Sequence, residues 1–447
     1  MTQDLHGPRR RFFTRAGRLA ALGLLAGRLR PLDAAPRHDA FIERLMARMT
    51  LEEKAGQLSI YFDDAREEAP NVNPAQVAKA LDKVQQEIIQ GRIGGLFNGL
   101  GVSSGRALQQ MAVERSRLRI PLIFAADVIH GLRTVFPVPL GEAAAFDPDL
   151  AARTARAAAV EATAVGIHWT FAPVVDVARD QRWGRVVEGA GEDPYLGRLL
   201  AAARVRGFQG SNLRNGDSML ATLKHFAAYG AVGGGMDYNS ADIPPATLHD
   251  VHLPPFRTGV EAGAMAVMTA YNDIAGIPAT GHRQLLTDVL RRSWGFRGLV
   301  VSDFASDVEM VQHGYAADEK DAARKALLAG CDVSMASGAY SRHLPALVRE
   351  GAVPQAALDE AVRRVLGVKQ ALGLFDNPYR SLDSEAERTQ IRLPQTVALA
   401  REAARRAVVL LKNEGGLLPL ARAGTRIALI GPFGADRAHV MLSLIHI

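Results

Sequence analysis

The chain has few of the features that staple or anchor a protein. A single cysteine among 447 residues cannot form an internal disulfide. No C-x-x-C pair or histidine-rich cluster offers a structural zinc site. No run of about 18 apolar residues occurs, which excludes a membrane-spanning helix. Internal repeats and low-complexity segments are absent. Positive charge is scarce where it would count: of the net +6, five charges fall in residues 1–40, where eight arginines face three aspartates. A nucleic-acid binder carries its charge on the folded surface, so that class is set aside. Apolar residues, by contrast, reach 48% and charged ones 22%, which excludes intrinsic disorder and suffices for a large core.

The basic N-terminus reads Pro8-Arg9-Arg10-Arg11-Phe12-Phe13-Thr14, then an apolar stretch from Leu19 to Gly27, then Asp33-Ala34-Ala35-Pro36. This order describes an export signal over residues 1–36, twin-arginine-like, with periplasmic or secreted localisation expected.

From about residue 50, short apolar runs alternate with amphipathic stretches. Strands are predicted at Gly56–Tyr61, Gly94–Phe97, Pro121–Ala126, His168–Pro173, Leu220–Phe226, Ala264–Ala270, Gly298–Ser302 and Cys331–Met335. Helices are predicted at Pro74–Gln90, Arg106–Arg117, Pro148–Ala164, Leu248–Ala262, Gln284–Ser293 and Pro354–Leu372. Strand alternating with helix implies a parallel sheet, and eight units fit an α/β fold of the (β/α)8 TIM-like barrel type over residues 37–378. Residues 379–393 read as an irregular polar linker. Residues 394–447 open a second unit, with a helix at Pro394–Ala407 and a strand at Arg426–Gly431. About fifty residues cannot close a core of their own. The expectation is a barrel followed by the incomplete start of an α/β sandwich domain.

Chemistry in such a barrel sits at the C-terminal ends of the strands. The polar residues there are Asp127, the loop residues Arg182, Arg185 and Glu188, then Lys224 and His225, Tyr271 and Asp303. Each has a bland explanation: helix N-cap for Asp303, a hydrogen-bonding core residue for His225 or Tyr271, a solvated ion-pair loop for the arginines. Together at one face they need a polar ligand to satisfy them. A sugar fits, because carboxylates accept from its hydroxyls, cations donate to others, and an aromatic covers the apolar face of the ring.

These residues lie in the words LEEKAGQL (51–58), FAADVIHGLRTVFPVPLG, FAPVVDVARDQRWGRVVEGAGEDPYL, LKHFAAYGAV, AVMTAYND, WGFRGLVVSDF and LLKNEGGLLPL. In that order they resemble the N-terminal barrel of glycoside hydrolase family 3, near its bacterial periplasmic β-glucosidase branch. The resemblance implies a retaining β-glucosidase acting on terminal non-reducing β-D-glucosyl residues of β-glucosides or β-linked gluco-oligosaccharides. It implies that Asp303 is the nucleophile, that Asp127, Arg185, Lys224, His225 and Tyr271 hold the glucose, and that Arg182 and Glu188 support them. Nearby cations are expected to keep the Asp303 carboxyl ionised and its pKa low. No metal or organic cofactor is called for.

The resemblance also marks departures. The family's acid/base Glu lies on the sandwich domain, and the apolar ending Met441–Ile447 departs from the family pattern, so a truncation is expected. Glu188, Asp193 and Asp237 are the residues that would have to substitute. The loop Gly233–Asp242 lacks the Asp-Ser-His that would mark the N-acetylglucosaminidase branch. Three other readings stand beside this one: a β-xylosidase of the same family, a sugar-binding fragment without turnover, and a nicotinamide-dependent oxidoreductase. The last rests on Gly99-Leu100-Gly101-Val102-Ser103-Ser104-Gly105 after a strand, whose third glycine falls one place too late.

Overall fold

A computed structural model of the chain describes residues 39–63, 83–431 and 434–435. The export-signal segment 1–36, the first part of the helix predicted from Pro74 and the Met441–Ile447 ending lie outside the described residues.

Eight parallel strands form the centre: β1 (Ser59–Phe62), β2 (Gly95–Phe97), β3 (Ile123–Ala126), β4 (Trp169–Thr170), β5 (Thr222–Phe226), β6 (Ala266–Thr269), β7 (Leu299–Val301) and β8 (Ser334–Met335). β8 pairs with β1, and β1 to β4 follow in order. A second run joins β5, β6 and β7. Bridges Trp169↔Leu220 and Val174↔Lys224 connect the two runs on one side, and Val301↔Val333 connects them on the other. The sheet therefore closes into a (β/α)8 barrel. Register is set residue by residue, as in Leu96↔Phe124, Ala125↔Trp169 and Val267↔Val300. The predicted dinucleotide loop leaves the second strand of this closed barrel, not the first strand of an open sheet.

All eight predicted strands form, mostly shorter than expected. Gly56 belongs to helix Leu51–Gln57, which is closed by a capping box between Thr50 and Glu53. The helices Pro148–Ala164 and Gln284–Ser293 match their predicted bounds. The predicted helix Leu248–Ala262 is broken at Pro254, which cannot donate a main-chain hydrogen bond, into Leu248–His252 and Pro254–Glu261.

Two expectations beyond the barrel need correction. Residues 379–393 are not irregular: helix Ser384–Thr389 is capped by Asp383 and docks on the barrel. Glu387 accepts the Val102 N–H at 3.1 Å, and the Arg392 N–H donates to Glu161 at 2.8 Å. The segment thus serves the N-terminus of one barrel helix and a carboxylate of another. Arg426–Gly431 is not a strand but exposed coil. A strand needs a neighbour for its N–H and C=O groups, and no described residue supplies one. Val408, Leu411, Leu429 and Ile430 are accordingly 77–91% exposed.

Beneath the barrel, at the N-terminal ends of the strands, lies the fully buried Lys369 of helix Gln355–Ala371. Its ammonium donates to Gln57 Oε1, Gly94 O and Pro121 O, each at 2.7 Å. Three acceptors match its three N–H donors, although burial pulls its pKa down to about 7. Lys369→Met should therefore cost about 3 kcal/mol or more, because three buried acceptors lose their partner. Chemical denaturation checks this, and an unchanged midpoint would show that the plug carries no stability.

Candidate active site

The opposite rim of the barrel gathers the polar side chains. Asp127 follows β3, in a turn held by the Val128 N–H donating to Thr170 Oγ1 at 3.1 Å. Lys224 lies within β5, and its ammonium meets Asp127 Oδ1 at 2.7 Å with both side chains buried. Tyr271 follows β6. Burial, and then the Asp303 charge, push its phenol well above the ordinary range. It stays protonated and donates to Phe304 O at 3.1 Å. Asp303 follows β7 and its Oδ1 accepts the Phe304 N–H at 2.7 Å. The helix-cap explanation fails for Asp303, since Asp307 caps the helix that follows.

The centre of the site is a chain of four groups. The Val175 N–H donates to Lys224 O at 2.7 Å and draws the loop after β4 against β5. Asp176 thereby reaches His225, accepting its main-chain N–H at 2.9 Å and facing its Nδ1 at 2.8 Å, both at Oδ2. On the other side of the ring, Arg185 Nη2 lies 2.9 Å from His225 Nε2. A guanidinium only donates, so Nε2 is an acceptor and the proton sits on Nδ1. Burial, followed by the Arg185 and Lys224 charges, pulls the His225 pKa well below its usual value, in keeping with a neutral ring. Burial pushes Asp176 up to about 7.

His225 Nε2 is also 3.5 Å from Asp303 Oδ2. Lacking a proton, it cannot donate there, and Asp303 Oδ2 is buried without a hydrogen-bond partner. The expectation of a lowered Asp303 pKa is corrected: burial raises it above the usual 3.8, outweighing the pull of Arg185 and Lys224. Arg185 is held in turn by Glu188, through 2.7 and 2.9 Å bonds. Trp183 stacks edge-on against Tyr229, and Arg185 lies 5.5 Å over the Tyr229 ring. Trp183 Nε1 donates to Asp237 at 2.9 Å. Gly235 closes the same junction: its φ is +67°, and a Cβ there would come within 2.6 Å of the Trp183 nitrogen.

A cavity of about 500 Å³ opens above these groups, lined by Asp127, Arg185, Glu188, Lys224, Tyr271 and Asp303 among others. Six of the eight predicted residues therefore line one cavity. Arg182 does not: its guanidinium pairs with Asp180 at the surface, 2.6 Å away, and is 75% exposed. The adjacent RWGR arginines diverge because only the second follows the tryptophan inward. His225 is fully buried and is not among the residues that line the cavity; it lies against Arg185.

Of the candidate substitutes, Asp193 is a helix cap that accepts the Tyr195 N–H at 2.8 Å. Sequence reasoning missed Asp176, although it too is an aspartate at a strand end within a quoted word. It also missed Asn98, Tyr238 and the Phe62–Phe97–Phe304 edge of the cavity, whose rings meet at 5.6 and 6.2 Å. Nothing but the barrel's circular order brings those together. Half-buried Glu309, six residues past Asp303, is pushed up to about 7 by burial and then by the Asp303 and Asp307 charges, but is not part of the wall. Among the described residues no group of His, Cys, Asp and Glu could hold a metal, and no helix is long and apolar enough to cross a membrane.

Comparison with known proteins agrees with this architecture. Residues 50–368 match the glycosyl hydrolase family 3 N-terminal domain. The chain belongs to glycosyl hydrolase family 3. It is 43% identical over 406 residues to a periplasmic beta-glucosidase of Salmonella typhimurium, covering 90% of this chain and 51% of that one. It is 35% identical to a putative beta-xylosidase of Formosa agariphila, over 90% of this chain and 55% of the relative. A crystal structure of a beta-glucosidase from Listeria innocua in complex with glucose superposes with a TM-score of 0.80 at 38% identity, over 86% of this chain and 53% of that one. The chain thus spans about half the length of the relatives it matches.

In this family 3 barrel the His225 tautomer can be read directly. Nitrogen-15 NMR should show His225 neutral with the proton on Nδ1 at pH 6.5, because titration would require a charge beside Arg185 and Lys224. A ring that titrates near its usual 6.5 would contradict the arrangement.

Proposed function

We propose that this chain provides the nucleophile and the glucose-binding wall of a retaining β-glucosidase that cleaves terminal β-D-glucosyl residues. The observation that carries the proposal is Asp303 Oδ2, unpartnered in a polar cavity beside Arg185, Lys224 and Asp127. In the first step Oδ2 forms a bond to C1 while the C1–oxygen bond to the leaving group breaks. In the second, water attacks C1, gives its proton to the base left by the general acid and releases the Asp303 carboxylate, so configuration is retained. Lys224–Asp127 and Arg185–Glu188 are pre-paired donors and acceptors that hold the sugar hydroxyls. The similarity to beta-glucosidases supports glucose as the glycone. Relatives named as beta-xylosidases favour a second reading, which a comparison of aryl glucoside and aryl xyloside turnover decides.

The leaving oxygen also needs a proton, which assistance from a general acid supplies at a gain of roughly 10²–10⁴-fold. The lining carboxylates other than Asp303 are all engaged: Asp127 by Lys224, Glu188 by Arg185, and Asp237 by Trp183. That supports an acid carried outside this wall, as the family's sandwich domain would provide. Export to the periplasm belongs to the same proposal, supported by the arginine pair and apolar segment of residues 1–36 and by the periplasmic relative.

Exposure to 2-deoxy-2-fluoroglucosyl fluoride, whose leaving group needs no proton, should label Asp303 slowly. Peptide mass spectrometry reads the adduct, and none on the Asp303 peptide would sink the assignment. With a dinitrophenyl glucoside the rate should fall as pH drops through the Asp303 pKa, since only the carboxylate attacks. Burial raises that pKa, so the acid limb should lie above pH 3.8. A rate that stays flat down to that value would argue against Asp303.

A further inference from the structure

Among the described residues lining the cavity, two buried polar atoms have no hydrogen-bond partner: Asp303 Oδ2 and Asn98 Oδ1. The first is the proposed nucleophile. The second has no place in the chemistry described so far. We propose that Asn98 is a further sugar-binding residue, whose side-chain amide takes one hydroxyl of the glucosyl unit lying over Asp303. The inference rests on the β-glucosidase reading.

Asn98 immediately follows β2, and its main-chain N–H donates to Ala125 O at 2.8 Å, extending the β2–β3 ladder. The backbone is therefore fixed and the side chain alone is free. In the closed ring β2 lies four strands from β6, so Asn98 and Tyr271 stand across the mouth from one another, as Asp127 after β3 and Asp303 after β7 do. A ring held between Asp127 and Asp303 presents its edges to this second pair.

The other polar side chains of the wall illustrate what is unusual. Asp127 has Lys224, Glu188 has Arg185, Asp237 has Trp183 and Tyr271 has a main-chain carbonyl. An unpaired buried amide atom costs free energy that a bound hydroxyl removes. Whichever way the amide is turned, a sugar hydroxyl satisfies it, because a hydroxyl both donates and accepts. The neighbouring Phe62 and Phe97 rings line the cavity and limit water at the amide. A structural explanation exists: φ at Asn98 is +61°, a conformation asparagine tolerates better than most residues. That accounts for the residue type, not for a buried amide atom without a partner.

Asn98→Gly separates the two, since glycine removes the amide and keeps the left-handed backbone at no cost. Binding of gluconolactone, glucose and the four monodeoxyglucoses is measured for wild type and variant. Asn98→Gly should weaken gluconolactone and glucose about 10-fold without lowering the melting temperature. One monodeoxyglucose should bind both proteins alike, which identifies the hydroxyl. Asn98→Asp, which keeps an acceptor, should recover part of the loss. Unchanged affinity in Asn98→Gly, or an equal loss for every deoxy sugar, would overturn the assignment. Failure of the wild-type chain to bind gluconolactone at all would instead remove the glucosidase reading, and this inference with it.

Discussion

The site depends on one proton, the one on His225 Nδ1. Asp176 takes it from below, and Arg185 fills the lone pair at Nε2. Were the proton on Nε2, it would repel the guanidinium and donate to Asp303 Oδ2, only 3.5 Å away. Either change would weaken the proposed nucleophile, the first by misplacing its cation and the second by occupying its free oxygen. A neutral imidazole between a carboxylate and a guanidinium thus keeps Arg185 close and Asp303 unbonded.

That constraint explains why so much of the surrounding structure is buried and paired. Arg185 is braced by Glu188 and by the face of Tyr229, which Trp183 supports from behind. The Trp183 indole is tied to Asp237 on the next loop, and the tight backbone contact at Gly235 draws the two loops together. Few of these residues reach the cavity centre. They fix the direction of one guanidinium, and a charged side chain so confined gives its hydrogen bonds to a ligand with little entropy left to lose. Burial has a cost, visible in the raised pKa of Asp303, which two nearby cations reduce without abolishing.

Much of the barrel was readable because its strands are short apolar runs separated by helical periodicity, and periodicity survives whatever the tertiary context. The strand-end positions of Asp127, Lys224, Tyr271 and Asp303 followed from the same pattern. The failures have a common origin. Arg182 and Arg185 are chemically alike in sequence, and a difference in direction is all that separates a surface ion pair from a cavity wall. Residues 379–393 read as a linker because the partner of Glu387 is nearly 300 positions away in the chain.

The sequence by itself determined the alternation of strand and helix, the set of charged residues at the strand ends and the family, since these depend on residue type and local spacing. The tertiary structure alone decided the His225 tautomer, the burial of His225, the exposure of Arg182 and the unpaired amide of Asn98. The tautomer is set by contacts of 2.8 and 2.9 Å from His225 to residues 49 and 40 positions away, and those distances exist only once the barrel has closed.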